Sequence, residues 1–224
     1  MRQVILTEDG SSSLFVPALK EHYHSVHGAV QESMHIFIRA GWDYYRERHP
    51  ELTSVSILEA GFGTGLNAWL TLAAAGEAGV PVFYHSIEKY PLTPEEYGAL
   101  NYARQSPRPQ QELFEALHRA PWQAATALTP QFTLYKEEGD FRSFGLQRPA
   151  DLVYYDAFNP DVQPHLWTAE VFARFYEALV PGGVLVTYCV KGIVKRALRD
   201  VGFTLRRLPG PPGKREMLRA EKPA

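Results

Sequence analysis

The chain has 224 residues, 45% of them apolar, and one cysteine, Cys189, so it can build one domain with a sizeable core but no internal disulfide or cysteine-based zinc cluster. Its net charge of −2 hides an asymmetry: residues 187–224 hold ten Lys and Arg against Asp200, Glu216 and Glu221, a local +7 that leaves −9 for residues 1–186. No apolar run approaches the roughly 20 residues of a membrane helix, and Met1-Arg2-Gln3 is followed by no signal-peptide core; a soluble, cytoplasmic, monomeric protein with neither membrane nor metal partner is expected. The basic stretch suggests a polyanionic partner, against the plainer reading of a solvated tail.

In chain order, residues 1–50 read as an N-terminal extension packing on a core and ending in an amphipathic helix around His35 to Arg48. Its segment from His22 to Ser33 is dense in hydroxyl, imidazole and small side chains, either a site wall or an irregular surface loop. Residues 51–224 then alternate strand and helix. Strands are predicted over Val55–Leu58, Val82–Ile87, Phe132–Tyr135, Leu152–Tyr155, Val184–Val190 and Phe203–Leu208, with a last, antiparallel edge strand over Arg215–Arg219. Helices follow from Leu66, from Pro94 behind a Thr93 cap, from Thr168 to Leu179, and from Gly192 to Val201. Such alternation means an α/β fold with a mostly parallel, seven-stranded sheet covered on both faces. Pro181-Gly182-Gly183 reads as a sharp break before its strand, and the proline-rich residues 89–130 as a helical insertion.

Glu59-Ala60-Gly61-Phe62-Gly63-Thr64-Gly65 sits between the first strand of this series and its helix. Alternating glycines let the backbone turn sharply and approach a ligand, and the helix behind them offers free N–H groups. The dinucleotide spacing G-x-G-x-x-G fails here, because Leu66 stands in the last place. The stretch instead resembles E/D-x-G-x-G-x-G, the S-adenosylmethionine loop of class I, Rossmann-like methyltransferases. Ligands of wound sheets lie outside the carboxyl ends of the strands. Those ends supply Glu88 for ribose hydroxyls, Gly139-Asp140-Phe141 for an adenine edge, and Asp156-Ala157-Phe158-Asn159-Pro160 as a reaction centre. The last segment resembles the D/N-P-P-Y/F element of amino-group methyltransferases. An acid there suits nitrogen as the nucleophile, since its interaction strengthens as positive charge develops on the amine; whether Asp156 is base or orienter stays open, and capping of its own loop is the structural alternative.

A more specific resemblance spans almost the whole chain. Thr7-Glu8-Asp9-Gly10-Ser11 with Leu14, Glu32-Ser33, Gly61-Phe62-Gly63-Thr64-Gly65-Leu66-Asn67, Glu88-Lys89-Tyr90-Pro91-Leu92, Gly139-Asp140, the Asp156 loop, Leu166-Trp167, Pro181-Gly182-Gly183 and Gly213-Lys214-Arg215-Glu216-Met217 resemble the methyltransferase component of the bacterial MnmC/MnmD family. These are tRNA 5-methylaminomethyl-2-thiouridine methyltransferases. The resemblance implies methylation of the exocyclic amine of 5-aminomethyl-(2-thio)uridine at the tRNA wobble position, with Asp156 as the catalytic acid. It further implies Gly61, Gly63, Glu88 and Asp140 as cofactor contacts and the anticodon loop as partner. With Met217 only a few residues from the last one, a monofunctional form without the family's flavin oxidoreductase is expected.

The full set of expected S-adenosylmethionine contacts is Glu59, Gly61, Phe62, Gly63, Gly65, Asn67, Glu88, Lys89, Gly139, Asp140 and Phe141. For the substrate they are Phe158, Asn159, Pro160, Ser33, Lys191, Lys214 and Arg215. Phe158, Tyr90, Trp167 and Tyr188 are candidates for stacking on a splayed base, and Lys195, Arg196, Arg206 and Arg207 join the basic set facing phosphates. The rival readings are a methyltransferase of a small amine or a protein, an aminopropyl transferase and a non-catalytic RNA-binding module. Phe62 and Thr64 stand where the aminopropyl enzymes place a second acid.

Overall fold

The computed structural model describes residues 2–105 and 110–224, so Pro107 and Pro109 of the expected insertion lie outside the described residues. Its centre is an eight-stranded sheet ordered β10-β11-β9-β8-β4-β5-β7-β6. The strands are β4 (Val55–Ala60), β5 (Val82–Glu88), β6 (Ala125–Thr129), β7 (Phe132–Glu138), β8 (Ala150–Tyr155), β9 (Leu179–Thr187), β10 (Thr204–Pro209) and β11 (Glu216–Glu221). The five central strands, β9-β8-β4-β5-β7, are mutually parallel. A second, antiparallel sheet of three strands, β1 (Gln3–Leu6), β2 (Ser12–Val16) and β3 (Glu21–His22), opens the chain.

Three details differ from the sequence-based expectations. The large sheet has eight strands, not seven, because β6 adds antiparallel to β7; the alternation in Ala125–Thr129 is short and half exposed, which leaves little apolar signal. The last strand is interior rather than an edge: β11 inserts between β9 and β10, antiparallel to both, so β10 forms the margin. Pro181-Gly182-Gly183 does not break the strand but forms a bulge within β9, where the register jumps from Ala150↔Leu179 to Leu152↔Val184.

The central strands alternate between two cores. Ile57, Tyr84, Tyr154 and Val186 face one cluster, whereas Leu58, Val153, Tyr155 and Leu185 face the other, as a sheet covered on both faces requires. The first face is covered by α3 (Leu66–Ala78), by α6 (Gln111–Arg119) and by a long helix running from α1 (Ala29–Ser33) through a π-helical stretch, Met34–Asp43, into α2 (Tyr44–Arg48). A side chain at Gly41 would come within 3.2 Å of both Tyr154 and Val186, so glycine there lets this helix lie close against the sheet. The helix begins earlier than its apolar period suggests: Ala29–Ser33 is helical, not irregular. Within residues 89–130, α4 (Pro94–Gly98) starts with Thr93 in a capping box, α5 (Tyr102–Gln105) and α6 follow, and β6 returns to the sheet.

The second face is covered by α7 (Ala169–Ala178), capped by the Thr168 hydroxyl, and α8 (Gly192–Val201). Phe172 of α7 is fully buried, its ring 4.8 Å from that of Tyr155. Phe172→Ala is expected to cost about 3–5 kcal/mol, read as a lower urea midpoint at unchanged slope.

Candidate active site

The chain proceeds from β4 to β5 and β7 on one side, then crosses back to β8 and β9 on the other. The winding therefore reverses between β4 and β8, and a cavity opens at the carboxyl ends of these strands. It measures about 680 Å³, within the range that holds a nucleotide-sized ligand.

The glycine loop forms its floor. Gly61, Gly63 and Gly65 have φ of 98°, 50° and 72°, the left-handed region that other residues occupy at a cost. A side chain on Gly61 would also meet the Asp156 carbonyl oxygen at 2.9 Å, so the loops after β4 and β8 lie against each other. The Glu88 carboxylate at the end of β5 accepts the Gly63 N–H at 2.9 Å through one oxygen and the Tyr90 N–H at 2.7 Å through the other. Each oxygen keeps a lone pair, so the group is placed for a diol.

Asp140 is held differently. Its oxygens accept from the Lys89 ammonium at 2.9 Å, twice from the Arg142 guanidinium at 2.8 Å and from the Arg142 N–H at 3.0 Å. The Arg142 guanidinium, with Lys89, holds its carboxyl well below the usual range. Asp140 lines the cavity fully engaged, and Phe141 beside it presents an aromatic wall.

Asp156 follows β8 directly. Its N–H donates to the Ala60 carbonyl at 3.0 Å, and its Oδ2 accepts from the Asn67 amide at 2.8 Å. Burial pushes its carboxyl up to about 7, helped by the negative charge of Glu32 and opposed by the Asn67 hydrogen bond and by Lys214. Aromatic groups surround the opening in front of it. Phe158 meets Tyr23 edge-on at 4.9 Å, and the Tyr188 hydroxyl donates to the Ala157 carbonyl at 2.8 Å while the Lys214 ammonium sits 4.2 Å over its ring.

Of the residues expected from sequence, Gly61, Phe62, Gly63, Asn67, Glu88, Lys89, Gly139, Asp140, Phe141, Asp156, Phe158, Asn159 and Lys214 line this one cavity, as do Tyr90 and Tyr188. Others do not. Glu59 pairs in register with Ser86 inside the sheet and is fully buried, so it lies beneath the site. Gly65 faces His118 and Phe62, away from the cavity. Ser33 is buried on the far side of the turn that presents Glu32, and Pro160 is buried behind its loop. Lys191 is bound to Asn159 and Asp161 at the surface, and Arg215 is exposed outside the cavity. Trp167 belongs to the core, its indole N–H donating to the Phe158 carbonyl at 2.8 Å. Arg196, Arg206 and Arg207 are exposed on α8 and β10, and Lys195 is half-buried on α8.

The N-terminal segment contributes residues outside the expected contacts, among them Glu32, although its motif neighbour Ser33 is one of those contacts. Tyr23, His24 and Glu32 line the cavity along with Arg2, whose guanidinium donates to Glu96 and to the Tyr90 carbonyl, both at 2.7 Å. His24 hydrogen-bonds the Thr64 hydroxyl at 2.7 Å, and burial lowers its imidazole to about 4, so it is neutral. Glu32 accepts the Ser25 N–H at 2.8 Å and forms an ion pair with Lys214. The polar crowding of His22 to Ser33 was the available signal; the choice of Glu32 over Ser33 follows only from the phase of α1.

Among the described residues, no group of three or more His, Cys, Asp or Glu could hold a metal ion, and no helix is long and apolar enough to cross a membrane. The bare glycine floor, the Glu88 carboxylate and the Phe141 wall fit a nucleoside joined to an amino-acid chain.

Residues 137–223 match the family described as S-adenosyl-L-methionine-dependent methyltransferase. Two relatives carry the name tRNA 5-methylaminomethyl-2-thiouridine biosynthesis bifunctional protein MnmC. That of Pseudomonas entomophila is 31% identical over 200 residues, covering 84% of this chain and 30% of its own length. That of Chromohalobacter salexigens is 31% identical over 240 residues, covering 96% of this chain and 32% of its own. This chain thus spans about a third of the length of the curated relatives it matches. The crystal structure of MNMC2 from Aquifex aeolicus superposes with a TM-score of 0.79 at 28% identity, over 100% of this chain and 72% of that one. The glycine loop, Glu88 and the Asp156 loop thus meet in a chain that resembles S-adenosyl-L-methionine-dependent methyltransferases over residues 137–223 and MnmC and MNMC2 over nearly its whole length.

Proposed function

We propose that this chain methylates the exocyclic amine of 5-aminomethyl-(2-thio)uridine at the wobble position of tRNA, acting as a monomer in the cytoplasm. The observation that carries this reading is Asp156 on the wall of a nucleotide-sized cavity, between the glycine loop and the aromatic groups Phe158, Tyr23 and Tyr188. When bound, S-adenosylmethionine supplies an electrophilic methyl group on a sulfonium. The glycine loop, Glu88, Gly139 and Phe141 would hold it.

The acceptor presents the opposite problem. An alkylamine with a lysine-like pKa of about 10.4 must lose a proton at a cost of roughly 4–5 kcal/mol at pH 7. A carboxyl raised to about 7 is a better matched base than an ordinary aspartate, since its affinity for a proton lies nearer that of the amine. In this reading Asp156 takes one proton from the ammonium, orients the freed lone pair, and would oppose the positive charge that grows on nitrogen as the methyl group passes to it from the sulfonium, whose sulfur keeps the electron pair of the broken bond. Phe158, Tyr23 and Tyr188 give a splayed base apolar faces to stack on. The segments at 1–50 and 89–130 serve the same end, supplying Arg2, Tyr23, His24, Glu32, Lys89 and Tyr90 to the cavity. Arg196, Arg206, Arg207 and Arg215, exposed on the adjoining surface, are assigned to the phosphates of the anticodon arm.

Incubation with labelled S-adenosylmethionine and tRNA bearing the aminomethyl precursor should place label on the wobble uridine alone. Label on free amines or proteins, with tRNA untouched, would favour the small-amine reading instead. Asp156→Ala should lower kcat by about 10²–10⁴ while S-adenosylmethionine still binds in calorimetry.

The pH dependence has a definite sign. Because the folded carboxyl of Asp156 lies above its ordinary value of 3.8, folding takes up a proton, and the associated stability is lost as pH rises from about 4 to about 7. Asp156→Asn should therefore unfold at higher urea concentration than the parent at pH 8 and lose the rise in kcat through pH 7. Gly61→Ala forces a methyl group against the Asp156 carbonyl at positive φ; loss of S-adenosylmethionine binding by at least tenfold is expected in calorimetry.

A further inference from the structure

Beneath the site lies an acid that the mechanism above does not use. Glu59 is fully buried on β4 and accepts the Ser86 hydroxyl at 2.6 Å through Oε2. Its other oxygen, Oε1, has no hydrogen-bond partner among the described residues, and neither does the buried Oδ1 of Asn67. Both atoms are acceptors. Asn67 lies within side-chain reach of Glu59, at the start of α3, and its amide nitrogen donates to Asp156 Oδ2 at 2.8 Å. With its NH₂ turned to Asp156, the amide must turn its oxygen elsewhere.

An ionised Glu59 could take the nearby Tyr84 hydroxyl on Oε1, but the Asn67 oxygen would then face a carboxylate with no proton between them, a costly arrangement at low dielectric. A neutral one completes the set, since its single O–H satisfies the Asn67 oxygen while its other oxygen keeps the Ser86 bond. We propose that Glu59 is a positioning residue: as a neutral acid it donates to the amide oxygen of Asn67, which locks the NH₂ of Asn67 onto Asp156 and leaves the second oxygen of Asp156 for the acceptor amine. This role rests on the function proposed above for Asp156. It gives the acid of the glycine motif a task other than contact with S-adenosylmethionine, from which its burial removes it.

The surroundings agree. Burial raises the Glu59 carboxyl to about 8. The hydrogen-bonding groups Ser86, Tyr84 and Asn67 oppose that rise, the charge of Asp156 adds to it, and Tyr154 is the other titratable group close by. The Tyr84 hydroxyl, also unpartnered, lies within reach of the same carboxyl. Asp156 itself is faced by Glu32, Lys214 and Tyr188.

The test uses the whole chain and two substitutions. In the protein without substrate, carbon-13 carboxyl NMR should find Glu59 protonated at pH 6.5, and infrared difference spectra should show a protonated carboxyl band that Glu59→Gln removes. Glu59→Gln, whose amide can donate to Asn67 and whose carbonyl can accept from Ser86, should leave the Asp156 midpoint within about 0.3 units and kcat within about threefold. Glu59→Leu, which can do neither, should raise that midpoint by about one unit and lower kcat at least tenfold, with the affinity for S-adenosylmethionine unchanged. Should Glu59→Leu not fold, the NMR state of Glu59 and the behaviour of Glu59→Gln decide alone. An ionised Glu59 at pH 6.5, a Glu59→Gln variant as impaired as Asp156→Ala, or a loss of S-adenosylmethionine affinity in Glu59→Gln overturns the proposal. If the parent chain fails to methylate aminomethyl tRNA, the substrate assignment falls, whereas the titrations still report on Glu59, Asn67 and Asp156.

Discussion

The hydrogen bond from the Asp156 N–H to the Ala60 carbonyl, at 3.0 Å, is the contact on which the site depends. It ties the loop after β8 to the loop after β4 where the sheet's winding reverses, and it is possible only because Gly61 brings no side chain against the Asp156 carbonyl. The glycine loop and the acid loop are thereby one unit. Glu88 extends that unit to the next strand, since its carboxylate takes the Gly63 N–H. The site is thus assembled by main-chain groups of rigid strands, with the side chains of the chemistry set on them, which is the arrangement that holds a constellation to sub-ångström tolerance.

Electrostatics in this site work against stability. Glu59 and Asp156 are both held above the carboxylate range by burial. Glu32 and Lys214 face each other at the mouth, joining the N-terminal helix to the loop before β11. A packed apolar core of the same shape would be more stable than this cluster of partly desolvated charges, and such placement is what marks a functional rather than a structural acid.

Much of the architecture was legible because central strands such as β4, β5 and β8 are buried at nearly every position and bounded by glycine, proline or acid, as in Val82–Glu88 with its terminal Glu88. The positions that escaped have physical reasons. β6 carries too little apolar area to announce itself, and the place of β11 between β9 and β10 is a matter of topology that no local pattern encodes. At the site, the motif residues located the cavity, but a motif does not tell which way each side chain faces. Glu59 and Ser33 point into the interior, whereas Glu32 and Tyr23, outside any motif of the core fold, point to the ligand side. The phase of a helix and the alternation of a strand decide such cases, and a single residue's error in either sends the wrong neighbour inward.

The order β9-β11-β10 at one margin constrains assembly as well as shape. A chain emerging in sequence makes β10 before the strand that separates it from β9, so β10 has no lasting place until β11 arrives and the two dock together as a hairpin. Until then the margin of β9 is an unpaired ribbon of apolar residues, open to association with another molecule. The same hairpin brings Lys214 to Glu32, so the mouth of the cavity is complete only once β10 and β11 have docked on β9.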